Sequence, residues 1–119
     1  MDKPEPVLLI VDDESSVRRV LTRIISKKIS KILTASTITD AELILDTTRV
    51  THILCDHLLG PGQPTGIESS ISWKQKYPHI EKVVILTGTS AYLGDTPEGI
   101  DSILPKTTDP LKLTDLLKL

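Results

Sequence analysis

The chain is 119 residues long, enough for one domain with a single apolar core and too short for two of ordinary size. Its 39% apolar and 25% charged residues exclude the disordered and fibrous classes, and a net charge of -2 gives no general drive toward nucleic acid. The longest early apolar run, residues 7–11, is far short of a membrane span or a signal-peptide core, so a cytoplasmic protein is expected.

Five runs rich in branched aliphatics read as strands: Val7 to Val11, Lys31 to Ala35, His52 to Cys55, Lys82 to Leu86 and Ser102 to Leu104. The first, third and fourth are apolar throughout, the pattern of central parallel strands covered on both faces. Between the first two lies Val17, Val20, Leu21, Ile24 and Ile25, spaced as one buried helical face. Ala41, Ile44 and Leu45 repeat the pattern after Thr39 or Asp40, Ile67 and Ile71 suggest a third helix, and Leu113, Leu116 and Leu117 a last one behind Asp109-Pro110. Between strands 4 and 5, Gly94 and Pro97 leave room only for a short helix within 90–98. Only 3% of the chain is aromatic and Phe is absent, so Ile, Leu and Val fill the core, with Trp73 and Tyr77 covering one of its edges. Cys55 has no disulfide partner in the chain, and its apolar run marks it as a small core side chain.

Strands alternating with helices imply right-handed crossovers and a parallel sheet with helices on both faces. The reading is a single doubly wound α/β domain over residues 1–119. In such sheets ligands bind beyond the carboxyl ends of the strands. That edge collects Asp12, Asp13 and Glu14 after strand 1, Asp56 after strand 3, Thr87 at the end of strand 4 and Lys106 after strand 5. Carboxylates gathered there repel one another unless a cation joins them, and an all-oxygen set with open positions suits Mg²⁺, or Mn²⁺ in its place. A metal, a lysine and a hydroxyl around an aspartate supply what a transferring phosphoryl group needs, and an aspartate can itself be the nucleophile. Asp56 is the candidate.

The stretches "LLIVDDE" at 8–14, "ILCD" at 53–56, "VVILTG" at 83–88 and "LPK" at 104–106 resemble the receiver domain of bacterial two-component response regulators, in that family's order and near its spacing. The resemblance covers essentially the whole chain. It implies a flavodoxin-like sheet of strand order 2-1-3-4-5, and phosphoryl transfer to Asp56 from a phosphohistidine on a histidine kinase or histidine phosphotransfer protein. It further implies that Asp13, Asp56 and the backbone carbonyl of Leu58 bind the metal directly, with Asp12 acting partly through water. Lys106 would pair with Asp56 or its phosphate, and Thr87 would hydrogen-bond the phosphoryl group. The output partner or C-terminal effector domain is not named by these residues, and neither nucleic acid nor membrane is implied as a partner.

Each residue also has a plainer reading. Asp12, Asp13 and Glu14 suit the start of a helix, where Asp13 or Ser15 would cap. Thr87-Gly88 suits a turn, and Lys106 an exposed surface. His52, His57 and His79 lack zinc-ligand spacing, and His57 reads as an ordinary loop residue beside Asp56. Arg19, Arg23, Lys27 and Lys31 recur every four residues with no acid between 18 and 31. Such like charges on a helix cost about 0.2–0.5 kcal/mol per pair, and the plain reading is a solvated face. The family resemblance implies instead that this surface of helix 1 docks on the histidine-bearing helices of the kinase, where Arg19, Arg23 and Lys27 would suit an acidic partner.

The chain departs from the family pattern in four respects. Gly66 stands ten residues after Asp56 where the family has its glycine at the eighth, so the loop is two residues longer. The stretch between Thr87 and Lys106 is about three residues shorter, so the fourth helix is expected to be short or distorted. Ile103 replaces the usual switch aromatic, and Thr107 the usual cis proline, where a cis bond would cost roughly 2.5–4 kcal/mol. Two other readings therefore stand beside the phosphorylated switch. One is a pseudo-receiver that binds a partner without phosphorylation. The other is a Mg²⁺-dependent phosphatase with an aspartate nucleophile, against which Leu58 stands where a second acid is needed.

Overall fold

The computed structural model describes residues 5–88 and 96–119. Its elements are β1 (Val7–Val11), α1 (Ser15–Ile25), β2 (Lys31–Ala35), α2 (Ile38–Thr47), β3 (His52–Asp56), α3 (Gly66–Lys76), β4 (Lys82–Thr87), β5 (Ser102–Pro105) and α4 (Pro110–Leu116). The strands form one sheet of order β2-β1-β3-β4-β5, parallel at every pairing. This is the doubly wound architecture expected above. The short helix expected within 90–98 falls mostly outside the described residues, and 96–98 carry no helix; the C-terminal helix is therefore α4.

Period-two alternation divides the core into two layers. Ile53 and Cys55 of β3, with Val83 and Ile85 of β4, pack under Ala41 and Leu45 of α2 and Trp73 of α3. Leu54, Val84 and Leu86 face the other way, against Leu21 and Ile25 of α1 and Leu113 of α4. β3 is buried along its whole length, as a central strand covered on both faces must be.

Three details differ from the sequence expectation. α2 starts earlier than Thr39 or Asp40, because Thr37 is its N-cap and its Oγ1 accepts from the Asp40 N–H at 3.1 Å. Val20 is 52% exposed, since Leu21 and Ile25 centre the buried face of α1 and leave Val20 on its flank. Trp73 is a fully buried core residue and not an edge cover, made tolerable by its Nε1–H donating to Glu42 Oε2 of α2 at 3.1 Å. Tyr77, also buried, donates its hydroxyl to the Asp46 carboxylate of the same helix. No peptide bond among the described residues is cis, so Lys106-Thr107 is trans.

Candidate functional site

The sheet ends where the candidate residues begin. β1 delivers the chain to Asp12, whose N–H donates to the Ala35 carbonyl of β2 at 3.1 Å. The Asp12 carboxylate then accepts from the Glu14 N–H at 2.9 Å, and Glu14, not Asp13 or Ser15, is the N-cap residue of α1, with no side-chain cap. Asp12 is thereby buried while Asp13 is exposed and its carboxylate is left out of helix capping. β3 and β4 each run one residue further than their apolar runs, so Asp56 and Thr87 are buried strand ends. β5 closes the group: the Lys106 N–H donates to the Thr87 carbonyl at 3.0 Å.

The Lys106 ammonium lies 3.0 Å from Asp56 Oδ2, 3.5 Å from Asp12 Oδ2 and 3.9 Å from Glu14 Oε1. The carboxylates of Asp12, Asp13 and Asp56 bring oxygens within 4.8 Å of one another, and they are the one group of metal-capable side chains found among the described residues. His52, His57 and His79 take no part in it.

Burial is the main reason that the Asp56 pKa rises, to about 6, and the neighbouring Asp12 and Asp13 carboxylates add to it against the pull of Lys106. Burial likewise raises Asp12, opposed by the Glu14 N–H and Lys106. For Lys106 burial opposes the charge, yet Asp56, Asp12 and Glu14 outweigh it and hold the ammonium above its ordinary pKa. One lysine cannot neutralise three gathered carboxylates. The donor set, oxygen only and short of positive charge, fits a divalent cation such as Mg²⁺.

The loop after Asp56 is tied back to the sheet. The His57 N–H donates to the Leu86 carbonyl at 2.9 Å, and the His57 carbonyl accepts from the Gly66 N–H at 2.7 Å. His57 is therefore buried rather than an ordinary loop residue, and burial lowers its pKa with Glu68 opposing. A Cβ at position 66 would overlap the Asp56 carbonyl oxygen, so only glycine lets α3 start this close to β3. The enlarged part projects outward: Gly60 and Gly62 take positive φ of 111° and 77°, and the Leu58 side chain is 61% exposed. Thr65 then caps α3, accepting from the Glu68 N–H at 3.1 Å and donating to its carboxylate at 3.0 Å.

Ile103 is buried in the α2–α3 layer, paired across the sheet with Ile85. Arg19 and Arg23 are exposed on α1, but Lys27 falls in the turn beyond the helix and leaves their row. Three features were not legible in the sequence. Arg18 donates to the Asp12 carbonyl at 2.7 Å, Glu14 reaches Lys106, and an apolar groove of about 400 Å³ opens beside Lys106 between Val17, Val20 and Leu21 of α1 and Pro110 and Leu113 of α4. The i, i+3, i+4 spacing of Val17, Val20 and Leu21 was the available signal, but it also describes a fully covered helix face.

No protein-family profile and no curated protein matches the chain. Solved structures do match it. The signal receiver domain of an HD domain-containing protein from Pseudomonas fluorescens Pf-5 is similar at TM-score 0.82 and 22% identity, over 97% of this chain and 93% of the other. The response regulator TrrA from Thermotoga maritima, solved in complex with Mg²⁺ and BeF, is similar at TM-score 0.81 and 24% identity, over 95% and 96%. A response regulator from Burkholderia pseudomallei, solved with a phosphorylated aspartic acid, a calcium ion and citrate, is similar at TM-score 0.78 and 16% identity, over 95% of this chain and 66% of the other. The chain therefore has the fold of response-regulator receiver domains.

Proposed function

We propose that the protein is a phosphoacceptor signalling domain in which Asp56 takes a phosphoryl group from a phosphohistidine. The observation that carries this reading is the Asp56 carboxylate, buried at a strand end, 3.0 Å from the Lys106 ammonium and flanked by Asp12 and Asp13. The phosphorylated aspartic acid of the Burkholderia relative and the Mg²⁺–BeF complex of the Thermotoga one support it by analogy of fold.

Asp12, Asp13 and Asp56, with the Leu58 carbonyl, would hold Mg²⁺, which when bound supplies charge neutralisation for the phosphoryl oxygens. An Asp56 oxygen attacks phosphorus, the P–N bond breaks, and its electron pair returns to the donor imidazole, which leaves neutral when its other nitrogen carries a proton. The Lys106 ammonium stays paired with the acyl phosphate, and the buried Thr87 hydroxyl donates to a phosphoryl oxygen. Above about pH 6 the metal-free Asp56 is ionised and nucleophilic. The apolar groove beside Lys106 suits the helix that presents the donor histidine.

Acetyl phosphate with Mg²⁺ should give one phosphoryl adduct by intact mass, absent in Asp56→Asn. Ile103 and the enlarged loop favour a second reading, a partner-binding module indifferent to phosphorylation, and absence of any adduct across Mg²⁺ concentrations would select it. Steady turnover of a phosphate ester would instead mark a phosphatase.

A further inference from the structure

We propose that the open edge of β2 docks an extended acidic segment of a partner protein, which joins the sheet as a sixth, antiparallel strand independently of Asp56. β2 lies at one margin of the five-stranded sheet, paired with β1 residue for residue from Lys31 to Ala35 without a bulge. The other margin is β5, a shorter strand that ends in Pro105. The Ala35 carbonyl accepts from the Asp12 N–H and so faces β1. Backbone direction alternates along a strand, so Lys31 and Leu33 face β1 as well, and the N–H and C=O groups of Ile32 and Thr34 face outward. No loop, cap or side chain among the described residues bonds those outward groups.

Charge selects the occupant. A groove follows this edge on each face of the sheet. The one of about 490 Å³ sets Arg18, Arg19 and Arg23 beside Ile32 and Thr34, and the one of about 560 Å³ sets Lys31 and Arg49 beside Ile32 and Leu33. No acid among the described residues lines either groove. The ion pairs among the described residues use Lys74, Lys76, Lys82 and Lys106, and none of these five cations. Two-fold pairing of β2 with the β2 of a second copy would set each groove against itself, five cations facing five, so the edge is guarded against self-association. An acidic strand meets attraction where a second copy meets repulsion. A nucleic-acid backbone fits less well: its phosphates only accept hydrogen bonds, which leaves the outward carbonyls unanswered, and no aromatic side chain lines either groove to stack a base.

Strand register then fixes the pattern of the segment. In an antiparallel pair the residues opposite Thr34 and Ile32 exchange backbone hydrogen bonds with them and place their side chains on the same face, beside the arginines of α1. The residue opposite Leu33 falls on the other face, where Leu33 packs against the core layer of α2, and suits an apolar side chain. The residue opposite Lys31 lies on that face beside Lys31 and Arg49. From its N-terminus to its C-terminus the segment therefore reads acid, apolar, acid, acid. Backbone pairing supplies affinity, and the five cations supply selectivity and a salt-dependent association rate.

The test uses the full chain and a capped hexapeptide, Thr-Glu-Val-Glu-Glu-Thr. At saturation, hydrogen exchange of the Ile32 and Thr34 amides should slow by about tenfold or more. The peptide should bind about tenfold more tightly than its Gln counterpart at low salt and lose that margin by about 0.3 M salt. N-methylation of its first two Glu residues, which pair with Thr34 and Ile32, should abolish binding, whereas N-methylation of Val, whose N–H points away, should not. Thr34→Pro removes an outward N–H that the sheet itself does not use and should lose the peptide. Arg19→Glu with Arg49→Glu, one reversal in each groove, should erase the preference for Glu over Gln. Unchanged exchange at Ile32 and Thr34, equal binding of the Glu and Gln peptides, or tolerance of methylation at the paired positions would each overturn the proposal. So would displacement of the peptide by a short DNA duplex, or protection of the same amides by raising the protein concentration alone, which would make the occupant a second copy.

Discussion

The Lys106 ammonium donates to Asp56 Oδ2 at 3.0 Å across a sequence separation of 50 residues, and is the one cation within 4 Å of the buried Asp12 and Asp56 carboxylates among the described residues. Removing it leaves those acids without an ionic partner. Lys106→Met should therefore destabilise the metal-free protein at pH 7 by about 1–3 kcal/mol, a loss that shrinks toward pH 4 as the carboxylates take up protons. Denaturant unfolding at the two pH values measures both.

Asp56 should make the metal-free protein less stable as pH rises. Its folded pKa is raised from 3.8 to about 6, so the native state keeps a proton that the unfolded chain releases, and stability falls across that interval. Asp56→Asn should accordingly stabilise the metal-free protein near pH 7 by on the order of 1–3 kcal/mol, with no gain below about pH 4. An Asn variant no more stable than wild type at neutral pH, in chelator, would contradict this electrostatic account.

Magnesium should reverse the same penalty. At ten times its Kd a ligand of the native state adds about 1.4 kcal/mol, which is several degrees in Tm for a domain of this size. The wild-type melting temperature should rise with MgCl₂ and fall back with EDTA, and the rise should be much smaller for Asp13→Asn and Asp56→Asn. Equal shifts in all three proteins would mean that the ion acts elsewhere.

His52 should act in the opposite sense to Asp56. It is buried at the start of β3, 2.7 Å through Nδ1 from the Thr51 hydroxyl, and burial, with Glu81 opposing, lowers its pKa below 6.5. The unfolded chain therefore binds the proton first, and stability is lost as pH falls below 6.5 through the folded pKa. In the Asp56→Asn background, acid-side melts should decline in this range, and adding His52→Gln should flatten that part of the profile.

Gly66→Ala should damage the site without touching an acid. The new methyl group would overlap the Asp56 carbonyl oxygen and crowd Cys55 Sγ, so α3 or the end of β3 has to move. A cost of about 2–4 kcal/mol is expected from such backbone overlap, together with a reduced Mg²⁺-dependent rise in Tm. Gly60→Ala, at a glycine with open space around it, should cost less despite its φ of 111° and should leave the magnesium response intact.

Much of the fold was legible because its signals are local. Apolar runs such as "VLLIV" and "ILC" belong to strands covered on both faces, and the acids that end them could be assigned to one sheet edge from topology alone. The same reasoning could not say which side of α1 is covered, because Val17, Val20, Leu21, Ile24 and Ile25 span more of the helix than one contact can bury, and Val20 stays exposed. Nor could the four-residue spacing of Lys27 show that α1 had already ended at Ile25.

The distances were decided by packing between elements remote in sequence. Residue types and strand order brought Asp12, Asp13, Asp56, Thr87 and Lys106 to one edge, which needs only right-handed crossovers. The 3.0 Å approach of Lys106 to Asp56, the burial of His57 and the seat of Gly66 on the Asp56 backbone depend on how closely α3 and β5 pack against β3 and β4. Hydrophobic patterning states which face is buried; the separation between two buried faces is set by the side chains that interlock there, and that information exists only in the folded chain.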